Sequence, residues 1–538
     1  RDADTEVRQL DGRSRPTANE QLVRNTRLRY QMRSIAFTRL GGRHELPGAK
    51  NLRIDWFGSF AQTRLATPLL REMLFLDQGG GDYIVDQRES GKFQFFNLVD
   101  NTATGTLDFT LPFKQWGRLD AKLKFGGWAE GKQRTFTTRS FDFQVAQGLQ
   151  PQIPTGTGDI LGEGTIGGGV NADNGGTQPF YLQEITRAND SYTGHQRIFA
   201  GYALLDLPLV RWLRVVGGAR FESSRIQVSP FDRFGPPIAA EDNANVVDNK
   251  VLPSASLIFP IAVKKGDMNL RLGGAKTLAR PEFRELAPFL FTDFVGGFDV
   301  FGNTKLRTTD IWNADLRLEW FPSASEVVAV SAFYKYFDSP IERVIGARAT
   351  PLQGYFNAKS AQNIGAELEF RKRLDFIHAA LREVYFGANA AYVYSRVHFA
   401  PYEAGEPFSY SGPDRAVEGQ SPFVINAYFT YKGNKSGTYA RILFNTFGKR
   451  ITFVGGQGLP NIYELPLHSL ALALQQRIKG RLFVDVSAQN LLNWRRRFVQ
   501  GEEKAITYNT LRGVTFTLGI SYVLDRQPKI TRSSALTP

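Results

Sequence analysis

The stretch WNADLRLEW, residues 312–320, alternates strictly between apolar and polar side chains. Leu316 and Leu318 belong to the apolar row, whereas Asp315 and Glu319 belong to the polar row. Successive side chains of a β-strand point to opposite faces of a sheet, whereas an α-helix repeats its apolar positions every three or four residues. The stretch therefore predicts a β-strand with one apolar face and one charged face.

The same alternation recurs along most of the chain and predicts about 19 strands of roughly 10–14 residues each. The predicted strands span 28–40, 49–63, 92–101, 104–113, 119–130, 132–144, 193–208, 210–227, 249–261, 268–279, 310–321, 325–338, 360–372, 383–397, 420–433, 438–449, 465–477, 481–491 and 512–524. A soluble β-sandwich would also show the alternation. The strand lengths, the charges in the polar rows, and the Trp and Tyr residues near strand ends favour a transmembrane barrel instead.

The predicted connections alternate between long loops, such as 145–192, and short turns, such as 434–437. Outer-membrane barrels have long loops outside the cell and short turns in the periplasm. Two connections depart from this rhythm. The link 114–118 is short where a long loop is expected, and 373–382 is long where a tight turn is expected.

The alternation of long loops and short turns predicts on which side of the membrane each chain end lies. The last predicted strand ends on the short-turn side, in the periplasm, whereas the first begins on the long-loop side, outside the cell. Because a single-chain barrel with an even number of strands has both ends in the periplasm, we expect an odd number of strands ahead of residue 1. The chain opens without Met or an apolar leader, so we expect a processed product or a fragment.

The expected fold is all-β, a large antiparallel transmembrane β-barrel with about 19 strands in this chain and about 22 when complete. Residues 1–27 are expected to form a polar lead-in that is an extracellular loop. The barrel itself is expected to span residues 28–524. Residues 525–538 are expected to form a polar tail in the periplasm.

Composition narrows the chemistry that the chain could perform. It has no Cys and only five His, none of them four residues apart, which argues against thiolate chemistry, Cys-ligated zinc and a helical His pair. The sequence contains no run of 18 or more apolar residues, so no transmembrane helix is predicted.

The net charge of the chain is +14, but the arginines are scattered singly along the strands. This scatter indicates a basic pore wall or a rim facing lipopolysaccharide, and no nucleic-acid partner is expected.

Several segments resemble one protein family. The segment TLARPEFREL at 277–286 resembles the Arg-Pro-x-Phe-x-Glu-Leu stretch of TonB-dependent receptors. GAELE at 365–369 resembles the Gly-x-Glu-x-Glu strand of that family, and QNLLN at 489–493 resembles its penultimate-strand Asn-Leu-Leu-Asn segment. With Gly302-Asn303 and other short matches in the expected order, the resemblance covers most of residues 42–524.

The resemblance implies an outer-membrane receptor in which a ligand binds the external loops and the top of a plug domain. Energy delivered by TonB at an N-terminal box would then open the plug. Neither the plug domain nor the box is found in the sequence, and the chain ends in a polar tail instead of the C-terminal aromatic of the family. No chemistry on the ligand is implied, so no catalytic residue, cofactor or metal site is expected, and the chain is not expected to be an enzyme.

Six phenylalanines in the loop 281–309 are candidate ligand-binding residues, because a large apolar patch in a loop indicates a contact surface. They are Phe283, Phe289, Phe291, Phe294, Phe298 and Phe301. Two interpretations of this loop stay open. It forms a lid or ligand platform over the barrel mouth, or it folds inward onto the plug or the barrel rim.

Charged residues in the polar rows are candidates for the lumen wall. They are Asp315, Arg317, Glu319, Glu367 and Glu369. Glu367 and Glu369 are expected to pair with arginines such as Arg317, in a network that stabilises the wall or contacts the plug.

Two functions fit this sequence. The leading expectation is TonB-dependent uptake of a scarce nutrient, such as a siderophore, a glycan or a peptide. The alternative is a structural or anchoring β-barrel subunit of a cell-envelope complex without active transport. The expected partners are outer-membrane lipid and lipopolysaccharide, the TonB complex if the missing N-terminal part carries a TonB box, and surface or periplasmic proteins.

Overall fold

The chain, seen in a computed structural model, forms one large antiparallel sheet with smaller sheets in its loops. The structure describes residues 2–13, 22–79, 82–85, 92–145, 169–170, 177–178, 180–233, 235, 243–292, 299–346, 352–399, 414–456, 459–501 and 505–523. The expected C-terminal tail, 525–538, lies outside the described residues. All structural statements below concern the described ranges.

The elements follow one another in a simple order along the chain. The strands are β1 Asp2–Arg13, β2 Leu22–Leu46, β3 Leu52–Gly79, β4 Asp82–Val85, β5 Lys92–Lys114, β6 Asp120–Val145, β7 Gly169–Val170, β8 Thr177–Gln178, β9 Phe180–Glu184, β10 Ser191–Val210, β11 Leu213–Phe231, β12 Ala244–Ile261, β13 Asp267–Ala279, β14 Leu290–Thr292, β15 Asp299–Phe301, β16 Thr309–Phe321, β17 Val327–Asp338, β18 Ile341–Gly346, β19 Leu352–Asn357, β20 Ser360–Arg373, β21 Val384–His398, β22 Phe423–Gly433, β23 Thr438–Phe447, β24 Arg450–Phe453, β25 Ile462–Glu464, β26 His468–Lys479, β27 Leu482–Gln489, β28 Arg496–Gln500, β29 Ala505–Thr510 and β30 Thr515–Tyr522. The helix α1 spans Phe283–Leu286, and short 3-10 turns span Pro47–Ala49, Leu374–Phe376 and Ala379–Leu381.

The large sheet has 20 strands, of which the short β4 and β9 pair beside β3 and β6. The other strands form the wall as an up-and-down meander, each antiparallel to the next. Their order is β1, β2, β3, β5, β6, β10, β11, β12, β13, β16, β17, β20, β21, β22, β23, β26, β27 and β30. Within the described ranges no ladder joins β30 to β1. This meander is the wall of a large antiparallel β-barrel, as the sequence predicts.

Two predicted turns, at 102–103 and at 131, do not exist. The ladder between β5 and β6 runs without interruption from Phe93 opposite Phe141 to Lys114 opposite Asp120. Gly131 and the pair Thr102-Ala103 interrupt the apolar pattern, but they stay within the ladder and form no turn. Four predicted strands are therefore only two, each long enough to extend above the membrane.

Counting these four predicted strands as two also changes which connections fall on the long-loop side and which on the short-turn side. The link at 115–119 now falls on the short-turn side, where a tight connection is expected. The expected lead-in 1–27 contains the strand β1, which pairs with the first half of β2. With β1 added, the first described strand begins on the short-turn side, so the argument for an odd number of additional strands no longer applies.

The two faces of the wall have the expected chemistry. On β16, Leu316 and Leu318 point outward and are exposed, while Glu319 points into the lumen and is only 5% exposed. Aromatic side chains such as Trp312 and Trp320 lie at the two ends of this outward apolar row. None of the helices in the described ranges is long and apolar enough to cross a bilayer. The alternation of apolar and polar side chains in WNADLRLEW therefore corresponds to the outward and inward faces of a strand.

We predict that Leu316→Arg destabilises the wall by about 2–4 kcal/mol, because it places a charge in lipid near the middle of a wall strand. The free energy of unfolding in lipid vesicles, measured by urea titration, tests this prediction. The neighbouring Asp315→Asn is the matched control, since Asp315 is exposed to the lumen, and it should change stability by less than about 0.5 kcal/mol. Equal losses in both variants would contradict the assignment of the two faces.

Candidate functional site

The long connections fold over one end of the barrel and bond to one another. The strands β14, β15, β19 and β18 form one small sheet, and β24, β25, β28 and β29 form another. The amide of Ile345 donates to the carbonyl of Val454 at 2.9 Å, and the amide of Gly456 donates to Ile345 at 3.0 Å. These bonds join the two sheets. We call this assembly the loop cap, residues 283–306, 341–357, 414–422, 450–464 and 496–510.

The start of the loop cap is anchored on the wall by apolar packing. Phe283, in α1, is 2% exposed and lies over Gly194 of β10, where an added Cβ would come within 2.8 Å of the ring. Phe289 stacks on Phe136 and Tyr192 with ring centroids 5.3 and 5.6 Å away. The absence of a side chain at position 194 thus makes room for α1.

The candidate ligand residues of this loop have different environments. Phe283 and Phe289 are buried in one apolar cluster, and Phe301 packs against a second one. The side chain of Phe291 is outside the described part of the structure, as are Phe294 and Phe298. The burial of Phe283 and Phe289 agrees with a loop that folds inward onto the rim. Ligand contact by these phenylalanines stays a prediction.

A charged cavity of about 440 Å³ lies within the loop cap. Its charged lining residues are Glu285, Glu342, Arg343, Glu418, Arg450, Glu464 and Arg496. They come from five different connections of the chain, so the cavity exists only where those connections meet. The lining offers both carboxylate acceptors and guanidinium donors to a polar molecule.

Ion pairs hold the cavity lining together. Glu464 is 2% exposed and accepts hydrogen bonds from Arg496 at 2.5 Å and from Arg450 at 2.7 Å. Arg343 donates two hydrogen bonds to Glu418. The contact between Arg343 and Glu418 is two-pronged, which makes it strong and directional, and it links β18 to the segment 414–422. The contacts of Glu464 link β24 and β28 through β25.

The carboxyl groups of the cap have pKa values shifted in opposite directions, although burial raises all of them. Removal from water raises the pKa of Glu342 above its ordinary value, and the guanidinium of Arg415, 2.8 Å away, only partly offsets this effect. Burial also raises the pKa of Glu418, despite its contact with Arg343. For Glu464 burial is outweighed by the hydrogen bonds from its two arginines, and its pKa lies below the ordinary value.

The predicted lumen-wall residues form a network on neighbouring strands. Glu319 of β16 accepts from Arg271 at 2.6 Å and from Arg317 at 2.9 Å. Arg317 also reaches across β17 to Glu369 at 2.8 Å. Asp315 and Glu367 are exposed to the lumen, and neither forms an ion pair within the described ranges. The lumen surface is therefore polar and partly cross-linked by charge.

Sequence reasoning missed the charged residues of the loop cap. Arg415 and Glu342, buried together, are 73 positions apart, and Arg343 and Glu418 are 75 apart. No periodic pattern connects residues in irregular loops over such separations.

The wall and the loop cap define a class of protein, a large outer-membrane barrel with its external loops folded over a polar site. A family model described as "TonB dependent receptor-like, beta-barrel" matches residues 4–520, and the chain belongs to this family. It is therefore located in the outer membrane. No curated protein matches the chain in a sequence comparison.

Solved structures share the fold at low sequence identity. The siderophore receptor PiuA from Acinetobacter baumannii is 12% identical, with a TM-score of 0.55 over 97% of this chain and 80% of that one. P. aeruginosa FpvA bound to an iron-loaded pyoverdine is 11% identical, with a TM-score of 0.53 over 95% and 69%. The copper transporter OprC is 12% identical, with a TM-score of 0.50 over 97% and 79%. At these identities the likeness shows the fold alone.

We predict that Glu464→Gln loosens the loop cap, because it leaves Arg450 and Arg496 without their carboxylate. The expected loss of local stability is about 1–3 kcal/mol. Faster amide hydrogen exchange in β24, β25 and β28 would show it. Glu367→Gln is the matched control, since this exposed residue forms no ion pair in the described ranges and its loss should leave exchange unchanged. Unchanged exchange in Glu464→Gln would contradict the role of the ion pairs.

We also predict opposite pH responses in the two halves of the loop cap. A carboxyl group with a lowered folded pKa stabilises the fold above its ordinary pKa, here 4.5, and loses that contribution as the pH falls. A raised pKa, as for Glu342, gives a contribution that is present at low pH and is lost as the pH rises through the folded value. Exchange corrected for its intrinsic pH dependence should therefore speed up in β25 and slow down in β18 on acidification. A parallel response would contradict these directions.

Proposed function

We propose that this chain forms the barrel of a TonB-dependent receptor that takes up a small polar nutrient through the loop-cap cavity. The observation that carries the proposal is the charged cavity itself. Its volume of about 440 Å³ lies within the usual range of roughly 300–1,000 Å³ for small-molecule sites. Its lining presents guanidinium donors beside carboxylate acceptors at the external end of the barrel.

The ligand class that best fits this lining is a metal chelate with carboxylate or hydroxyl groups on its surface, which means a siderophore among the expected nutrients. A ligand carboxylate can replace a glutamate side chain at an arginine such as Arg343 or Arg496 with similar geometry. The compared structures are named as a siderophore receptor, a receptor with an iron-loaded pyoverdine, and a copper transporter. These names support the chelate class without identifying the compound.

Ligand binding in this arrangement would also alter the loops. Arg450 and Arg496 both use their guanidinium groups on Glu464, and this contact joins β24 to β28. An anion that competes for either arginine weakens that connection and frees part of the cap to move. Passage through the lumen would then depend on a plug domain and the TonB complex, which the family membership supports as partners.

One observation favours the alternative of a structural barrel without transport. The arginines of the cavity are already paired with glutamates of this chain, so the cap is electrostatically satisfied without a ligand. A permanently closed cap would suit an anchoring subunit whose loops contact other envelope proteins. Ligand binding and TonB dependence distinguish the two functions.

We predict that the full-length protein binds a ferric siderophore and that Arg496→Gln lowers the affinity by about tenfold, the expected effect of losing one charge-assisted hydrogen bond. Isothermal titration with a panel of ferric siderophores, glycans and peptides measures the affinity. Uptake of radiolabelled iron in cells with and without TonB measures transport. Arg64→Gln, which changes an exposed arginine of the outer wall, is the control. If no panel member binds and uptake is independent of TonB, the structural alternative is favoured.

A further inference from the structure

A second polar cavity, of about 740 Å³, lies on the lumen side of the wall at the short-turn end of the barrel. It is next to the turns 322–326 and 434–437, whereas the loop cap covers the opposite end. Along β20, Ser360 beside the loop cap and Arg371 in this cavity are roughly 36 Å apart at about 3.3 Å per residue. We call this site the short-turn cavity, lined among others by Arg371, Tyr428, Tyr439, Arg441 and Arg477.

Three arginines face the short-turn cavity, and its lining contains no carboxylate within the described ranges. Arg371, Arg441 and Arg477 come from β20, β23 and β26, and all three are half-buried. None of them forms an ion pair in the described part of the wall. Elsewhere in the lumen, an arginine such as Arg317 contacts a carboxylate, here Glu319, at 2.9 Å. The short-turn cavity therefore has an excess of positive charge that the described wall does not balance.

The guanidinium groups keep hydrogen-bond donors for a ligand. The Nε of Arg371 donates to the carbonyl of Ser325 at 2.9 Å, and the Nε of Arg441 donates to the hydroxyl of Thr430 at 3.0 Å. The Nη groups of both arginines, and the whole guanidinium of Arg477, have no hydrogen-bond partner within the described ranges. Because a guanidinium carries five N–H donors, most of the donors in this cavity are available.

Two tyrosine rings orient the guanidinium of Arg441. Its Cζ lies 4.6 Å from the ring centroid of Tyr428 and 5.8 Å from that of Tyr439. A guanidinium stacked on aromatic faces keeps the N–H groups in its own plane free to bind an anion. An arginine that is held in place before the ligand arrives also loses less conformational freedom on binding.

Carboxylates beside the short-turn cavity are used by other groups. Asp485 accepts hydrogen bonds from Gln475 at 2.7 Å and from Ser521 at 3.1 Å. Glu326 accepts from Lys372 and from Ser323, both at 3.0 Å. The three arginines are thus left to an anion from outside the described wall.

We propose that the short-turn cavity is a second binding site for the carboxylate-bearing ligand, which occupies it after the loop cap and before leaving the lumen. One carboxylate binds the free edge of Arg441 in paired hydrogen bonds, and another contacts Arg371 or Arg477. The volume of the cavity lies within the usual range of roughly 300–1,000 Å³ for small-molecule sites. The identity of the ligand rests on the proposed function, whereas the preference for an anion rests on the three arginines.

Modification of arginines by phenylglyoxal in the full-length protein, mapped by mass spectrometry of its peptides, tests the site. Citrate, a tricarboxylate, is the probe. At about ten times its dissociation constant, citrate should slow the modification of Arg441 and Arg477 by about tenfold, because only the unoccupied site reacts. Triethyl citrate, the uncharged ester, should give no protection. Arg64, an exposed arginine of the outer wall, should react at the same rate throughout.

The double variant Arg441→Gln/Arg477→Gln should abolish the protection of Arg371 by citrate, and heat-modifiable migration on gels verifies that it is folded. The matched control is Lys122→Gln/Lys124→Gln, which removes two lysines of β6 at the same end of the lumen, on the face opposite to the outward Phe125.

The proposal is overturned if citrate protects none of the three arginines, if triethyl citrate protects them equally, or if the lysine variant loses protection to the same extent. It is also overturned if the arginines do not react in the full-length protein without citrate, since another part of the protein then fills the cavity.

Uptake in cells separates this inference from the proposed function. The double variant should slow TonB-dependent uptake of the ferric siderophore severalfold and leave its affinity at the distant loop cap unchanged. Unchanged uptake, or siderophore binding without citrate protection, would contradict the second site and leave the proposed function intact. Citrate protection without any TonB-dependent uptake would contradict the proposed function and support the anion site alone.

Discussion

The backbone of this protein has to satisfy every hydrogen bond within the bilayer, because the hydrocarbon offers no water to an unpaired N–H or C=O group. The wall strands meet this requirement by pairing each with the next along the chain, as in the unbroken ladder of β5 and β6. Once the strands are fixed in this way, side chains alternate between lipid and lumen. The outward apolar row and the inward charged row of β16 are direct consequences of the same constraint.

The loop cap is not under this constraint, because its backbone lies outside the lipid. Its short strands pack into two apolar clusters, and buried ion pairs between distant segments add directional links. Glu464 with its two arginines connects β24 to β28, and Arg415 with Glu342 connects two further loops. Such pairs are costly to break but only weakly favourable overall, so they fix which segments meet more than they add to the stability of the cap.

The wall could be predicted from the sequence because its signal is local. A period of two is visible in nine residues such as 312–320, and each strand needs only its neighbours in sequence to be recognised. The errors, at 102–103 and 131, arose where small residues interrupt the pattern without interrupting the ladder. The loop cap could not be predicted, because pairs such as Arg343 with Glu418 join segments 75 positions apart and leave no periodic trace.

The arginines on the two faces of the barrel differ in how their charge is balanced. On the lumen side, arginines such as Arg317 and Arg280 are balanced by carboxylates of neighbouring strands. On the outer side, Arg197 and Arg225 have no such balance in the described ranges. A largely buried cation needs a paired carboxylate, whereas an exposed one does not, so the charge balance of each face follows from its exposure.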